Sequence, residues 1–244
     1  MVRRKVMRVT AHAGPSPPAC YGEPRVDKED RPSAPTMVVD FDGTLAIHDV
    51  GDELCESFAE PGWRAVGAAW RRGELSLAEA QRRMWASVRA DRTALLERAR
   101  ELGTLREGAD RLFAAAARGD LRLVLASGGF GLYVEAILGE RLSHFEAVYY
   151  NHLEPGPDGP TLTFPHDELA RGPYAICKAA VCERHGARAF AGDGSSDRSV
   201  GGAVPTVFAV RGSLLALHRN ERGLPCVPFT TFDEVLAHLE VPDR

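Results

Sequence analysis

The chain has 244 residues, of which 44% are hydrophobic and 26% charged, with a formal net charge of −4 at pH 7. That is the balance of a globular protein built as one large domain, or as one domain carrying an insertion. It argues against capture by nucleic acid or by an anionic membrane, and no stretch reaches the roughly 18 unbroken apolar residues of a membrane span.

Residues 1–35 carry six of the sixteen prolines, seven Lys or Arg and four Asp or Glu. Such a segment buries too little apolar surface to offset its ordering entropy, so a disordered tail is expected. The basic N-terminus lacks an apolar h-region and does not read as a signal peptide. Five scattered cysteines (20, 55, 177, 182 and 226) form no CxxC pair, which points to a reducing, cytoplasmic setting.

Order is expected from Thr36. Met37-Val38-Val39 reads as a buried strand opening into a turn at Asp40, Asp42 and Gly43. Residues 50–105 then turn helical. Ser76 with Glu79 forms a capping box ahead of Leu77, Ala80, Met84 and Val88, Asp91 caps the next helix, and Gly103 ends it. A further helix is expected over 107–118. Residues 121–126 form a strand that runs into Ser127-Gly128-Gly129, and a helix follows to about Leu138. Residues 146–153 and 161–164 suggest a hairpin, 174–185 a helix, 187–191 a strand ending at Gly192-Asp193, and 204–210 another strand. Repeated β-then-α units imply an α/β fold, a Rossmann-like doubly wound parallel sheet. The block at 50–105 interrupts the series after its first strand and is expected to be an inserted α-helical cap. The core would then comprise residues 36–49 and 106–244.

Ligands of such sheets bind beyond the carboxyl ends of the strands. Three strand ends here are polar: Asp40-Phe41-Asp42-Gly43-Thr44, Ser127-Gly128-Gly129, and Gly192-Asp193-Gly194-Ser195-Ser196-Asp197. Each alone also reads as a turn, a helix cap or a plain loop. Together they gather four carboxylates. Strand alternation places Asp40 and Asp42 on one face, with Phe41 turned to the core. Carboxylates so close repel unless a cation sits among them, and an oxygen-rich set without His or Cys suits Mg2+. Ser127 and the amides of Gly128 and Gly129, at a helix start, offer donors to an anion, and Lys178 can add a cation. Lys178 alone also reads as a solvated helix lysine.

This constellation, in this order, resembles the haloacid dehalogenase-like phosphohydrolase superfamily. The likeness spans residue 36 to the C-terminus, and the helical insertion looks like the cap of its phosphoserine-phosphatase-like branch. A finer resemblance, to the methionine-salvage phosphatases, lies in Pro61-Gly62-Trp63, residues 73–77, Phe164-Pro165-His166, Val207-Phe208-Ala209 and Val227-Pro228-Phe229. Two places depart from that pattern: Ala175-Ile176-Cys177 holds a single cysteine, and Arg198-Ser199-Val200 follows Asp197.

The resemblance implies Mg2+-dependent hydrolysis of a phosphate monoester, a small phosphorylated metabolite, through an aspartyl-phosphate. Asp40 is the expected nucleophile and Asp42 the general acid and base. The metal is expected on Asp40, Asp42 and Asp193, with Asp197 as ligand or anchor. Ser127, Gly128, Gly129 and Lys178 are expected around the phosphoryl group, with Thr44 beside the Asp42 loop. Asp49 and Glu53 are expected to face the leaving group. Trp63, Trp70 and Trp85 read as the cap's own core, Arg71, Arg72, Arg82 and Arg83 as solvated faces, and His166 as structural. A phosphotransferase or phosphomutase on the same fold and a non-catalytic phospholigand-binding domain are the alternatives. Monomer and homodimer both remain open.

Overall fold

The computed structural model describes residues 34–156 and 159–242. The expected tail, except for its last two residues, lies outside them. The elements in chain order are β1 (Thr36–Val39), α1 (Val50–Phe58), α2 (Trp63–Arg71), α3 (Leu77–Trp85), α4 (Arg92–Leu102), α5 (Ala109–Arg118), β2 (Arg122–Phe130), α6 (Gly131–Leu138), β3 (Phe145–Glu154), β4 (Thr161–Thr163), α7 (Lys178–Arg184), β5 (Ala189–Gly192), β6 (Thr206–Val210), α8 (Leu214–Glu221), β7 (Val227–Phe229) and α9 (Phe232–His238).

The strands form one sheet in the order β4-β3-β2-β1-β5-β6-β7, parallel throughout apart from the β3–β4 hairpin. Both faces are covered. Met37 and Val39 pack with α5, α6 and α9, while Val38, Val124 and Phe190 pack with α7 and α8. Two buried faces explain why these strands read as continuous apolar runs. The strand order reverses at β1, so the crevice lies beyond the carboxyl ends of β1, β2 and β5.

Helices α1–α4 fill the interval between β1 and α5. Asp49, Ser76 and Asp91 cap three of them, accepting from the amides of Asp52, Glu79 and Ala94. The segments into and out of this block pair with each other: Ala46 bridges Leu105, and Ile47 N donates to Thr104 O at 3.0 Å.

Several boundaries differ from expectation, most of them through a contact distant in sequence or a proline. Residues 174–177 are not helical, and α7 starts at Lys178. Cys177 N donates to Leu169 O, and Pro173 O accepts from Leu77 N of α3. Helix α5 starts at Ala109, because Glu107 O accepts from Phe232 N and Gly108 takes a φ of 84°. Strand β6 starts at Thr206, after Pro205, which has no amide to give to a ladder. Residues 127–129 bulge out of register against β3 (Ala126 opposite Tyr149, Phe130 opposite Asn151), and α6 begins only at Gly131. The glycine amides therefore precede the helix instead of opening it.

Candidate active site

Strand β1 ends at Val39, and the chain turns at once. Asp42 (φ −68°, ψ 125°) and Gly43 (φ 72°, ψ −8°) occupy the central positions of a type II turn, which needs glycine second. A Cβ on Gly43 would also lie 2.5 Å from Asp193 Oδ2. Gly43→Ala is therefore expected to cost at least about 1–2 kcal/mol from the left-handed backbone alone. The check is the urea midpoint in EDTA; an unchanged midpoint would contradict the turn geometry.

Because the strand has ended, two-residue alternation does not carry through to Asp42. Asp40 faces α7, and Lys178 Nζ lies 2.6 Å from its Oδ1. Asp42 faces α6 and α1 instead. Its Oδ2 accepts from the Tyr133 hydroxyl at 2.9 Å, and its Oδ1 from Val50 N at 3.0 Å and Gly51 N at 3.4 Å, the first amides of α1. The Ser127 hydroxyl lies 3.5 Å from Oδ2 and accepts from Gly129 N at 2.9 Å. Burial pushes the Asp42 carboxyl up to about 6 against these donors.

The loop after β5 supplies the remaining carboxylates. Asp193 Oδ1 accepts from the Thr44 hydroxyl at 3.1 Å, and burial, then the Asp197 charge, pushes Asp193 up to about 7. Asp197 Oδ2 accepts from the amides of Asp193 (2.8 Å) and Gly194 (2.7 Å), and its Oδ1 takes Lys178. Lys178 Nζ also donates to Ser196 Oγ at 3.1 Å, so all three of its protons have acceptors. Burial opposes the lysine charge, but Asp197 and Asp40 outweigh it and hold its pKa above the ordinary range. Burial and the Asp197 charge raise Asp40 well above the usual carboxylate range, with Lys178 opposing.

Asp40, Asp193 and Asp197 bring one carboxylate oxygen each within 4.8 Å of one another. Fully ionised, three carboxylates against one ammonium leave two negative charges, which one divalent cation cancels. The donors are all hard oxygens, the set that hard divalent cations select. Asp197 has both oxygens already engaged, so it fits an anchor better than a ligand.

Asp40, Asp42, Asp193, Gly128 and Gly129 line one cavity of about 150 Å³. Its far wall comes from α1–α3: Asp49, Asp52, Trp70, Arg71, Leu77, Gln81, Met84 and Trp85. Asp49 is there as expected. Glu53 lies outside the lining, and Asp52, one residue earlier, takes that place. Trp85 is both core and wall, buried and edge-on to Phe130 at 5.3 Å. Trp70 lines the cavity; Trp63 packs on the core outside it. Arg71, expected on a solvated face, lines the cavity, whereas Arg72 pairs with Glu74 in solvent. Ser127, Thr44 and Lys178 are fully buried behind the lining. His166 stacks edge-on against Tyr149 at 5.2 Å, outside the lining.

Four side chains that the sequence did not single out hold the site in shape. Tyr133 positions Asp42. Arg106 donates to the carbonyls of Thr44 and Gly43, both at 2.7 Å, and clamps the Asp40–Thr44 turn. Gln81 and Asn151 both donate to the Gly128 carbonyl. None sits in a motif; only the folded chain brings them to the site.

Residues 37–201 match the haloacid dehalogenase-like hydrolase family. The 2-hydroxy-3-keto-5-methylthiopentenyl-1-phosphate phosphatase of Geobacillus thermodenitrificans (strain NG80-2) is 26% identical over 211 residues, covering 84% of this chain and 94% of that protein. The protein of the same description from Exiguobacterium sp. (strain ATCC BAA-1283 / AT1b) is also 26% identical, over 214 residues, covering 84% of this chain and 96% of its own. The fold superposes on a phospho-aspartyl intermediate analogue of phosphoserine phosphatase with a TM-score of 0.62 at 16% identity, covering 84% of this chain and 99% of that one. The match begins in β1 and closes just past Asp197, enclosing all three polar strand ends, and the chain belongs to the haloacid dehalogenase-like hydrolases as a phosphatase of that family.

Proposed function

We propose that the protein hydrolyses a small phosphate monoester with Mg2+, through an aspartyl-phosphate on Asp40. The observation that carries this reading is the arrangement of Asp40. It is buried and held by Lys178, and it lines one cavity together with Asp42, Asp193 and Gly128. The metal fits Asp40 and Asp193, with the Asp42 backbone as further ligand and Asp197 as anchor. When bound, it neutralises the carboxylates and the equatorial phosphoryl charge.

The chain's own residues do the rest. Lys178 holds Asp40 Oδ1 and leaves Oδ2 to attack phosphorus in line. Asp42 protonates the departing alkoxide, then deprotonates the water that cleaves the acyl phosphate. A carboxyl raised to about 6 suits both tasks near neutral pH. Gly128 and Gly129 face the phosphoryl oxygens, with Ser127 and Lys178 acting from behind them. Residues 50–105 serve as the cap over the 36–49 and 106–244 core; they exclude water and contact the leaving group through Asp49.

No helix among the described residues is long and apolar enough to cross a membrane. Cys55, Cys177, Cys182 and Cys226 are free thiols, in keeping with a reducing cytoplasm.

The test is phosphate release over a panel of small monoesters: phosphoserine, phosphoethanolamine, sugar phosphates, pyridoxal phosphate and methylthio-substituted phosphates. Turnover is expected with Mg2+ and its loss with EDTA. Metal-independent release, or no release from any ester, would refute the reading. The activity for which the two relatives are named is the reason to test methylthio-substituted phosphates first.

A further inference from the structure

Gln81 lies on α3, in the inserted helical block, yet its side chain reaches the end of β2. Its Nε2 donates to the Gly128 carbonyl at 2.7 Å. Asn151 Nδ2 donates to the same oxygen at 2.8 Å. A carbonyl oxygen only accepts, so the Gln81 amide has one orientation in this contact, with its NH2 toward Gly128. The other end, Oε1, is then fixed in place, buried and without a partner in the protein.

An unmet buried acceptor is costly, and native folds keep few of them. Gln81 lines the same cavity as Asp40 and Asp42. Of the residues that line it, Leu77, Ala80, Met84 and Phe130 have no side-chain donor, and Trp70, Arg71, Trp85 and Tyr133, which do, make no hydrogen bond to Oε1. Asn151 Oδ1 is unpartnered too, but Asn151 lies outside that lining, so no cavity occupant is placed to meet it.

We infer that Gln81 is a specificity-determining residue: its Oε1 accepts a hydrogen bond from an O–H or N–H on the leaving group of the phosphate ester, beyond the ester oxygen. The inference rests on the phosphatase reading above. The substrate class it defines is a small ester with an apolar part, fitting Leu77 and Met84, and a neutral donor for Oε1, in addition to the part that meets Asp49. The same amide ties α3 to Gly128, so the helix that reads the leaving group is also fixed against the strand end that meets the phosphoryl group.

The experiment uses the full chain with Mg2+ and four probes: p-nitrophenyl phosphate, 2-hydroxypropyl phosphate, n-propyl phosphate and 2-methoxypropyl phosphate. The last two lack a donor and bracket the hydroxy ester in size. Wild type is expected to prefer the hydroxy ester over both by about 10- to 100-fold in kcat/KM, carried mainly by KM. In Gln81→Met that ratio is expected to fall toward one. A ratio within one protein is insensitive to how much of it is folded, and the wild-type comparison with the methyl ether needs no variant. A wild-type ratio below about 2-fold, with p-nitrophenyl phosphate turned over, overturns the Gln81 assignment alone. A wild-type-like ratio in Gln81→Met does the same. No turnover of any probe overturns the phosphatase reading and the inference with it.

Discussion

Asp40→Asn is expected to lower kcat by about 10⁴-fold or more while the protein stays folded. The amide has no anionic oxygen to attack phosphorus, and no neighbouring carboxylate is free to substitute. Asp42 is held by Tyr133 and the α1 amides, Asp193 by Thr44, and Asp197 by two amides and Lys178. The fold is expected to survive because Lys178 keeps Asp197 and Ser196 as acceptors, and because one of several mutually repelling buried carboxylates is neutralised without a change of shape. The measurement is steady-state phosphate release, paired with a search for a phosphorylated Asp40 peptide in rapidly quenched wild type. Asp40→Asn retaining more than about a tenth of wild-type kcat would remove Asp40 as nucleophile.

Lys178→Met is expected to damage stability and catalysis together. The ammonium is the counter-charge of two buried carboxylates, and deleting one partner of such a group strands the rest in low dielectric. A loss of about 3–5 kcal/mol is expected in metal-free protein. In Mg2+, kcat is expected to fall about 10²- to 10³-fold, because Asp40 loses the group that orients it and phosphoryl transfer loses a nearby positive charge. Lys178→Arg should not restore either property: a planar guanidinium does not match three acceptors converging on one nitrogen. Adding Asp197→Asn to Lys178→Met should recover part of the stability, since the two changes act on one ion pair and do not add. Urea unfolding in EDTA separates the stability effect from the kinetic one. Full stability in Lys178→Met would mean that Lys178 is not the charge that balances this cluster.

Much of this was legible in the chain itself. Strands buried on both faces must be apolar there, so Met37-Val38-Val39 and, past the exposed Arg122, the run to Ala126 announce themselves. The side-chain caps at Ser76 and Asp91 act within three residues, so local pattern suffices to find them. The three polar strand ends and Lys178 stand out because packing alone would not select them, and the fold gathers them beyond the carboxyl ends of β1, β2 and β5. The exceptions lie where a local rule met a distant contact. Asp42 leaves the face predicted for it because a type II turn intervenes. Residues 174–177 stay non-helical because Cys177 bonds to Leu169 and the preceding Pro173 is held by α3. Ser127-Gly128-Gly129 bulges ahead of α6 instead of opening it.

Composition and motif order by themselves determined the class of sheet, the insertion after β1 and the cluster of acids with one lysine. These follow from short-range periodicity and from the cost of placing charge where apolar residues belong. Only the tertiary structure decided which residues hold those acids in position and which face the cavity. Tyr133 meets Asp42 across 91 residues of sequence, Arg106 meets Gly43 across 63, and Gln81 meets Gly128 across 47. Arg71 and Asp52 face the cavity although nothing in their local sequence distinguishes them from Arg72 and Glu53. Hydrogen bonds and cavity walls depend on positions in space, and separations of that size leave no period or spacing for a sequence to display.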